Sequence, residues 1–285
     1  MNRLFKTRSI NMNKSELLFY EIMNYPIPKN WEYFSTEKKD NIERYNKNTF
    51  SWEQESFLLE EYRIHIKKHK KIFQSIPRVK TIYLCNSISF NKLSQWSDID
   101  FFIVTKKWCL RRARFASALI FFVLWLKRSK KRIWKKYCLS FYITEDAQNL
   151  YTISLPNTDI YLAYRLAHLT PIYQEKTEDK TIYDYNPRLF SILPNLPKNQ
   201  HNINIWLPIY KWNTKIKTKL EKYVWWLIWH IVEYMIKTIR VPILIYKTKN
   251  LKEIWKDIIF NDTMLKFYQD KRKKIALLYR TRNIR

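Results

Sequence analysis

Two hydrophobic periods divide the chain. Over residues 14–73 apolar side chains return every three or four positions, as Leu17, Leu18 and Ile22 and then Phe57, Leu58, Tyr62 and Ile66. That spacing predicts helices with one buried stripe. Pro26-Ile27-Pro28 breaks the first helix, Ser35-Thr36-Glu37 offers a start for the next segment, and a long basic helix should end near Ile76-Pro77. The pattern then shifts to short runs rich in aromatic and β-branched residues at 81–85, 98–104 and 137–143, which read as strands. Between the last two, residues 111–127 have the length and the arginine-rich start of a helix covering the sheet. Further helices are expected at 159–169, 187–193, 216–239 and 262–279. Residues 194–204, rich in Pro and Asn, form the best linker, and no internal repeat is evident. The predicted fold is therefore α/β (α+β), with a helical module at 1–74, a sheet-bearing core at 75–175 and a helical region at 176–285.

Two apolar stretches test for a membrane span. Residues 115–126 fall short of the ~20 needed to cross a bilayer and read as a core helix. Residues 223–246 are longer, but His230, Glu233, Lys237, Arg240 and Pro242 make a spanning helix costly. No integral membrane span is expected, and an interfacial amphipathic helix is the lesser alternative. The opening residues read as a basic tail and not as a signal peptide. Cys85, Cys109 and Cys138 are odd in number and widely spaced, which suits a reducing, cytoplasmic compartment.

Charge and composition add two constraints. With 53 basic against 25 acidic residues, the formal charge of +28 attracts polyanions, so nucleotide, RNA or an anionic membrane surface are candidate partners. A Lys-, Asn- and Ile-rich composition inherited from an AT-biased genome explains the same charge. Glycine is absent, although average usage would place roughly 20 in a chain of this size. Tryptophan, at 12, is high. Either composition was constrained or a glycine codon is rendered as another residue. In both cases Asn or Asp must serve wherever the backbone needs positive φ.

The chemistry-bearing run is Ser97-Asp98-Ile99-Asp100 leading into Phe101-Phe102-Ile103-Val104. In a strand, residues two apart share a face, so Asp98 and Asp100 project together while Ile99 and Phe101 enter the opposite packing layer. Adjacent carboxylates repel, and a hard cation such as Mg²⁺ relieves that repulsion. By itself, an Asp-x-Asp is more simply a turn residue followed by an incidental edge carboxylate.

The stretch from Tyr83-Leu84-Cys85-Asn86-Ser87 to Trp96-Ser97-Asp98-Ile99-Asp100 supplies context. It resembles the signature of the nucleotidyltransferase superfamily related to DNA polymerase beta: an apolar strand, Gly-Ser, a spacer, then Ser-Asp-hydrophobic-Asp in a second strand. The resemblance implies a mixed-sheet nucleotidyltransferase core in which Asp98 and Asp100 bind Mg²⁺ and serve catalysis. Ser87, with Asn86 in the place of the family's glycine, would contact the phosphates of an NTP. The activity so implied is transfer of a nucleoside monophosphate to an acceptor hydroxyl, on nucleic acid or a small molecule. Asn86 can follow the glycine's turn but crowds the pocket. The superfamily's usual third carboxylate, on a later strand, is missing: the third strand offers Ser140 and reaches acid only at Glu145 and Asp146. An impaired module that only binds nucleotide or nucleic acid is therefore the alternative.

Beyond that signature, Arg111, Arg112 and Arg114, Cys138-Leu139-Ser140-Phe141 and Asp159-Ile160-Tyr161 onward resemble larger bacterial members of the superfamily. Arg111 is expected at the nucleotide's phosphates, with a solvated helix start as the simpler account. The basic residues at 127–136 around Trp134 suit single-stranded nucleic acid or, equally, an exposed turn. His168 reads as a structural histidine. Trp225, Trp226 and Trp229 read as helix core, and Lys271 to Lys274 as a solvated face.

Overall fold

Strand Val79–Cys85 (β1) pairs antiparallel with Ile99–Thr105 (β2), and β2 pairs parallel with Tyr137–Thr144 (β3). This is a computed structural model, and it describes residues 14–23, 52–90, 92–129, 131–155, 159–175, 182, 184–190, 217–219, 221, 259–266, 275–278 and 281. Thr170–Gln174 (β4) lies antiparallel on the far side of β1, while the hairpin of Ile259–Phe260 (β5) and Met264–Lys266 (β6) closes the β3 side. Among the described residues these make a six-stranded mixed sheet in the order β4-β1-β2-β3-β6-β5.

Alternation along the strands builds a core on each face. Ile82 and Leu84 of β1, Ile99, Phe101 and Ile103 of β2, and Tyr137 and Leu139 of β3 face one layer. Covering it are helix Trp52–Lys68 (α1, through Tyr62 and Ile66), helix Lys70–Ser75 (α2, through Phe73) and helix Leu110–Val123 (α3, through Leu110, Ala113 and Phe121). Tyr83, Cys85, Phe102, Val104, Phe141 and Ile143 face the other layer. There the cover is helix Ile160–Ala167 (α4) and Phe19 and Tyr20 from the N-terminal helix Lys14–Met23. Tyr164 stacks on Phe19 at 3.8 Å between ring centroids, and Asp159 caps α4 by accepting from the Leu162 amide. The helices expected at 111–127 and 159–169 are thus present.

Parity along β3 changes midway: Tyr137 and Leu139 face the first layer, yet so does Tyr142, while Phe141 and Ile143 face the second. The β2–β3 register shows why. Asp100 pairs with Cys138 but Phe102 pairs with Phe141, one residue further on, so a bulge sits between them.

Two expectations need correction. Residues 262–279, read as one helix, begin with β6, whose Met264, Leu265 and Lys266 pair with Ile143, Tyr142 and Phe141. Only 275–278 are helical among the described residues of that span. Asn261 makes the turn, its side-chain oxygen accepting from the amides of Thr263 and Met264, and the free edge of β3 overrides local helical periodicity. Residues 115–126, read as core, bury Ala116, Ser117 and Phe121 but leave Phe122, Val123 and Trp125 exposed at the end of α3 and just beyond it. The linker at 194–204, the stretch 223–246, the Trp225–Trp229 cluster and Lys271 to Lys274 lie outside the described residues. No described helix is long and apolar enough to cross a membrane.

Left-handed backbone occurs at Arg78, Asn86, Trp108, Trp125 and Lys135, with φ between 51° and 63°, so the expectation that Asn or Asp serves these positions holds only at Asn86. Trp108 and Trp125 are 76% and 69% exposed, so burial of the indole does not offset the strain.

Candidate metal centre

Asp98 and Asp100 arrive where the preceding loop enters β2. The loop is pinned from three sides. Tyr62 donates its hydroxyl to the Ser97 carbonyl at 2.6 Å, the Lys135 amide reaches the same oxygen at 3.3 Å, and the Ile99 amide bonds to the Lys136 carbonyl at 2.9 Å. Asp98 therefore stands one residue ahead of the strand, and Asp100 is the strand's second residue.

Asn86 follows the last residue of β1 and opens a one-turn 3-10 helix, Asn86–Ile88, at φ 61°. This is the position of the family glycine in the resemblance, and the backbone does take the conformation that glycine favours. Its side chain turns inward: Nδ2 donates to Asp100 Oδ2 at 2.8 Å, while its buried Oδ1 has no hydrogen-bond partner among the described residues. Ser87 follows in the same turn, half-buried, with its carbonyl accepting from the Lys92 amide.

A third donor comes from β3. Cys138 is the register partner of Asp100, and ligand atoms of Asp98, Asp100 and Cys138 all lie within 4.8 Å of one another. All three residues are half-buried, and none of the chain's cysteines forms a disulfide. Two carboxylates and a thiol converging from two adjacent strands fit a divalent cation by donor type and number.

Arg128 lies against the same group. Its amide bonds to the Tyr137 carbonyl, and the Tyr137 amide to the Leu126 carbonyl, so the segment after α3 runs alongside the start of β3. From there Nη1 donates to Asp98 Oδ2 at 2.7 Å and lies 3.9 Å from Cys138 Sγ. Burial pushes the Asp98 carboxyl above its ordinary range, and the neighbouring Asp100 charge pushes it further, against the pull of Arg128. A site that raises the cost of its own negative charge favours a cation.

Arg111 is placed elsewhere. It opens α3 beyond the far end of β2, and seven strand residues at ~3.3 Å each separate the two ends by about 20 Å. Its Nη2 pairs with Asp262 at 2.6 Å and its guanidinium lies over Phe260. Arg114 likewise donates to the Leu139 carbonyl. Glu145 and Asp146 also sit at the far end of the sheet: Glu145 pairs with Lys80 at 2.7 Å and accepts from the Lys107 amide. Neither stands as a third carboxylate beside Asp98.

The basic run at 127–136 divides its labour. Arg128 goes to Asp98, Lys135 pairs with Glu61, and Lys136 donates to the Trp125 carbonyl. Arg132 lies over the Trp125 ring and Lys135 over Trp134. His168 is buried and structural, its ring nitrogens bonded to the Tyr20 hydroxyl and the Tyr164 carbonyl at 2.9 Å each.

No protein-family model, curated protein or solved structure matches the chain. The site rests on its own residues. Sequence alone does not single out Cys138 and Arg128, because a thiol is not the acid expected on the third strand and a basic run reads as a surface until its contacts are seen. The signal for Cys138 was available: it lies at the start of the strand, where Asp98 and Asp100 stand in theirs.

Proposed function

We propose that the chain is a metal-dependent nucleotidyltransferase, which transfers a nucleoside monophosphate from an NTP to an acceptor hydroxyl. The observation that carries this is the convergence of Asp98 and Asp100 at the mouth of β2 with the Asn86-Ser87 turn at the end of β1, joined by the 2.8 Å Asn86–Asp100 bond. A divalent cation held by Asp98 and Asp100, Mg²⁺ in the sequence reading, would neutralise phosphate charge as the bond to the leaving group breaks. The chain's own residues do the positioning. Asn86 holds the Asp100 carboxylate in one orientation, and the turn that follows offers Ser87 for phosphate contact. Arg128, already bonded to Asp98, is the arginine placed to meet added negative charge, the role assigned to Arg111 from sequence.

Incubation with an NTP labelled in its α-phosphate, over a panel of nucleic-acid and small-molecule acceptors, tests this. Label should pass to an acceptor only with a divalent cation, and not in Asp98→Asn. Transfer unaffected by that substitution contradicts the proposal.

A second reading is supported by one observation: a thiol, not a carboxylate, pairs with Asp100 across the strands. Without a third carboxylate as general base, a term worth roughly 10²- to 10⁴-fold is lost, and the fold would serve to bind nucleotide or nucleic acid. Binding of RNA or DNA that falls steeply with salt and survives Asp98→Ala with Asp100→Ala favours this reading.

A further inference from the structure

Resting on the divalent-cation reading above, we propose that Cys138 is the third protein ligand of that cation, and that the site consequently selects a thiophilic divalent ion of the Zn²⁺ or Co²⁺ kind over Mg²⁺.

Strand geometry aims the thiol. Ile99 and its register partner Tyr137 both face the α1–α3 layer, so Asp100 and Cys138, one residue on, both face the opposite way. The bulge begins only after this pair, so the register that joins them is undisturbed. The other two thiols lack this placement. Cys85 is buried with its Sγ directed at the Asp100 carbonyl, 3.6 Å away, and Cys109 immediately precedes α3 at the far end of β2. Neither joins the aspartates in a group of ligand atoms.

An independent observation is that a cationic group already engages two of the three donors. Arg128 Nη1 is 2.7 Å from Asp98 Oδ2 and 3.9 Å from Cys138 Sγ. The guanidinium reaches in from a partly exposed side chain and can turn to solvent as an ion enters. It marks the space between carboxylate and thiol as one where positive charge is stable.

The donor chemistry then chooses the ion. Mg²⁺ prefers oxygen ligands and sheds water reluctantly, whereas thiolate favours Zn²⁺ and its geometric analogue Co²⁺. Three protein ligands leave one position of a tetrahedral ion open, the arrangement of reactive zinc sites and not of closed structural ones. With bonds of about 2.0 Å to oxygen and 2.3 Å to sulfur, tetrahedral donors stand roughly 3.5 Å apart, so ligand atoms now within 4.8 Å need draw together by no more than about an Ångström. Coordination converts thiol to thiolate and releases its proton to solvent.

The test is Co²⁺ titration of the full chain, followed by optical absorption and in parallel by calorimetry, with Cys138→Ser and Asp98→Asn alongside and circular dichroism to confirm folding. The wild type should show the sulfur-to-cobalt charge-transfer band, and Cys138→Ser should lack it. That variant should also bind Zn²⁺ and Co²⁺ at least about tenfold more weakly, with Mg²⁺ or Mn²⁺ binding little changed. Co²⁺ that binds calorimetrically without the band, or a band that persists in Cys138→Ser, overturns the thiolate ligand while leaving the carboxylate site intact. Absence of binding by Co²⁺, Mn²⁺ and Mg²⁺ alike overturns both readings.

Discussion

Cys138 stands directly across the parallel β2–β3 pair from Asp100, and ligand atoms of the two lie within 4.8 Å of each other and of Asp98. Acidic residues alone give two donors here; Cys138 makes a third. Both the fold's registration and the site's chemistry depend on this pair staying in step, because one residue's slip would turn Cys138 to the opposite face.

Arg128 competes with any metal for Asp98. Removing its charge in Arg128→Gln should tighten divalent-cation binding in the absence of nucleotide by about two- to fivefold, the scale of a partly exposed ion pair. The same change should weaken nucleotide binding. Calorimetric titration with Mn²⁺, then with nucleotide, reads both effects. Weaker Mn²⁺ binding in Arg128→Gln would mean that the guanidinium supports the site and does not compete for it.

Trp108 and Trp125 carry left-handed backbone on exposed side chains, where a non-glycine residue costs about 1–2 kcal/mol. Trp108→Gly and Trp125→Gly should each raise stability in urea denaturation by up to about 1 kcal/mol, after allowing for glycine's greater freedom when unfolded. Each gain is net of one lost cation–π contact, that of Lys107 with the Trp108 ring and that of Arg132 with the Trp125 ring. Asn86→Gly should gain less, since Asn tolerates this conformation and the bond to Asp100 is lost. Destabilisation by both tryptophan replacements would show that the indoles hold structure.

Burial pushes His168 down to about 4, and His65 is likewise held at about 4 by burial and by His69. An unfolded histidine takes its proton near 6.5, before the native ones do, so the unfolded state binds more protons between those values. Stability should be fully present above about pH 6.5 and fall as the solution is acidified toward 4, by an amount on the order of a few kcal/mol. Asp98, whose carboxyl is pushed up by burial and by the Asp100 charge, works in the opposite direction. Denaturation midpoints across this pH series check it; stability that rises on acidification from 6.5 to 5 contradicts it.

Lys217 ties a C-terminal helical residue to the sheet. It is buried, pairs with Glu175 at 2.9 Å and bonds to the Tyr173 hydroxyl at 3.0 Å. Lys217→Met should cost about 2 kcal/mol or more, because among the described residues Glu175 then keeps only Lys106, 3.1 Å away, as its charged partner. Denaturation of the double variant Lys217→Met with Glu175→Gln should recover part of that loss. Additive losses would indicate that the two do not act as a pair.

The sheet's first three strands and helices α3 and α4 were legible because each carries its own period: alternating or continuous apolar runs for strands, a recurring stripe for helices. β4 was not, since Thr170-Pro171-Ile172 looks like a helix end; only its pairing with β1 makes it a strand. β6 escaped for the same reason, its three residues being too few to set a period and its stability coming from the edge of β3. At the site, the spacing of Asp98 and Asp100 announced a shared face, and Asn86 announced a turn. Arg111 was drawn to the phosphates by proximity in sequence, whereas β2 carries it away along its whole length and α3 leads back to deliver Arg128.

Calorimetric titration of the purified chain with NTP, in the presence and absence of divalent cation, tests the central claim most directly. Nucleotide should bind only when the cation is supplied, and Asp98→Asn with Asp100→Asn should abolish that dependence. Binding that is equally tight without cation, or unchanged in the double variant, would contradict it.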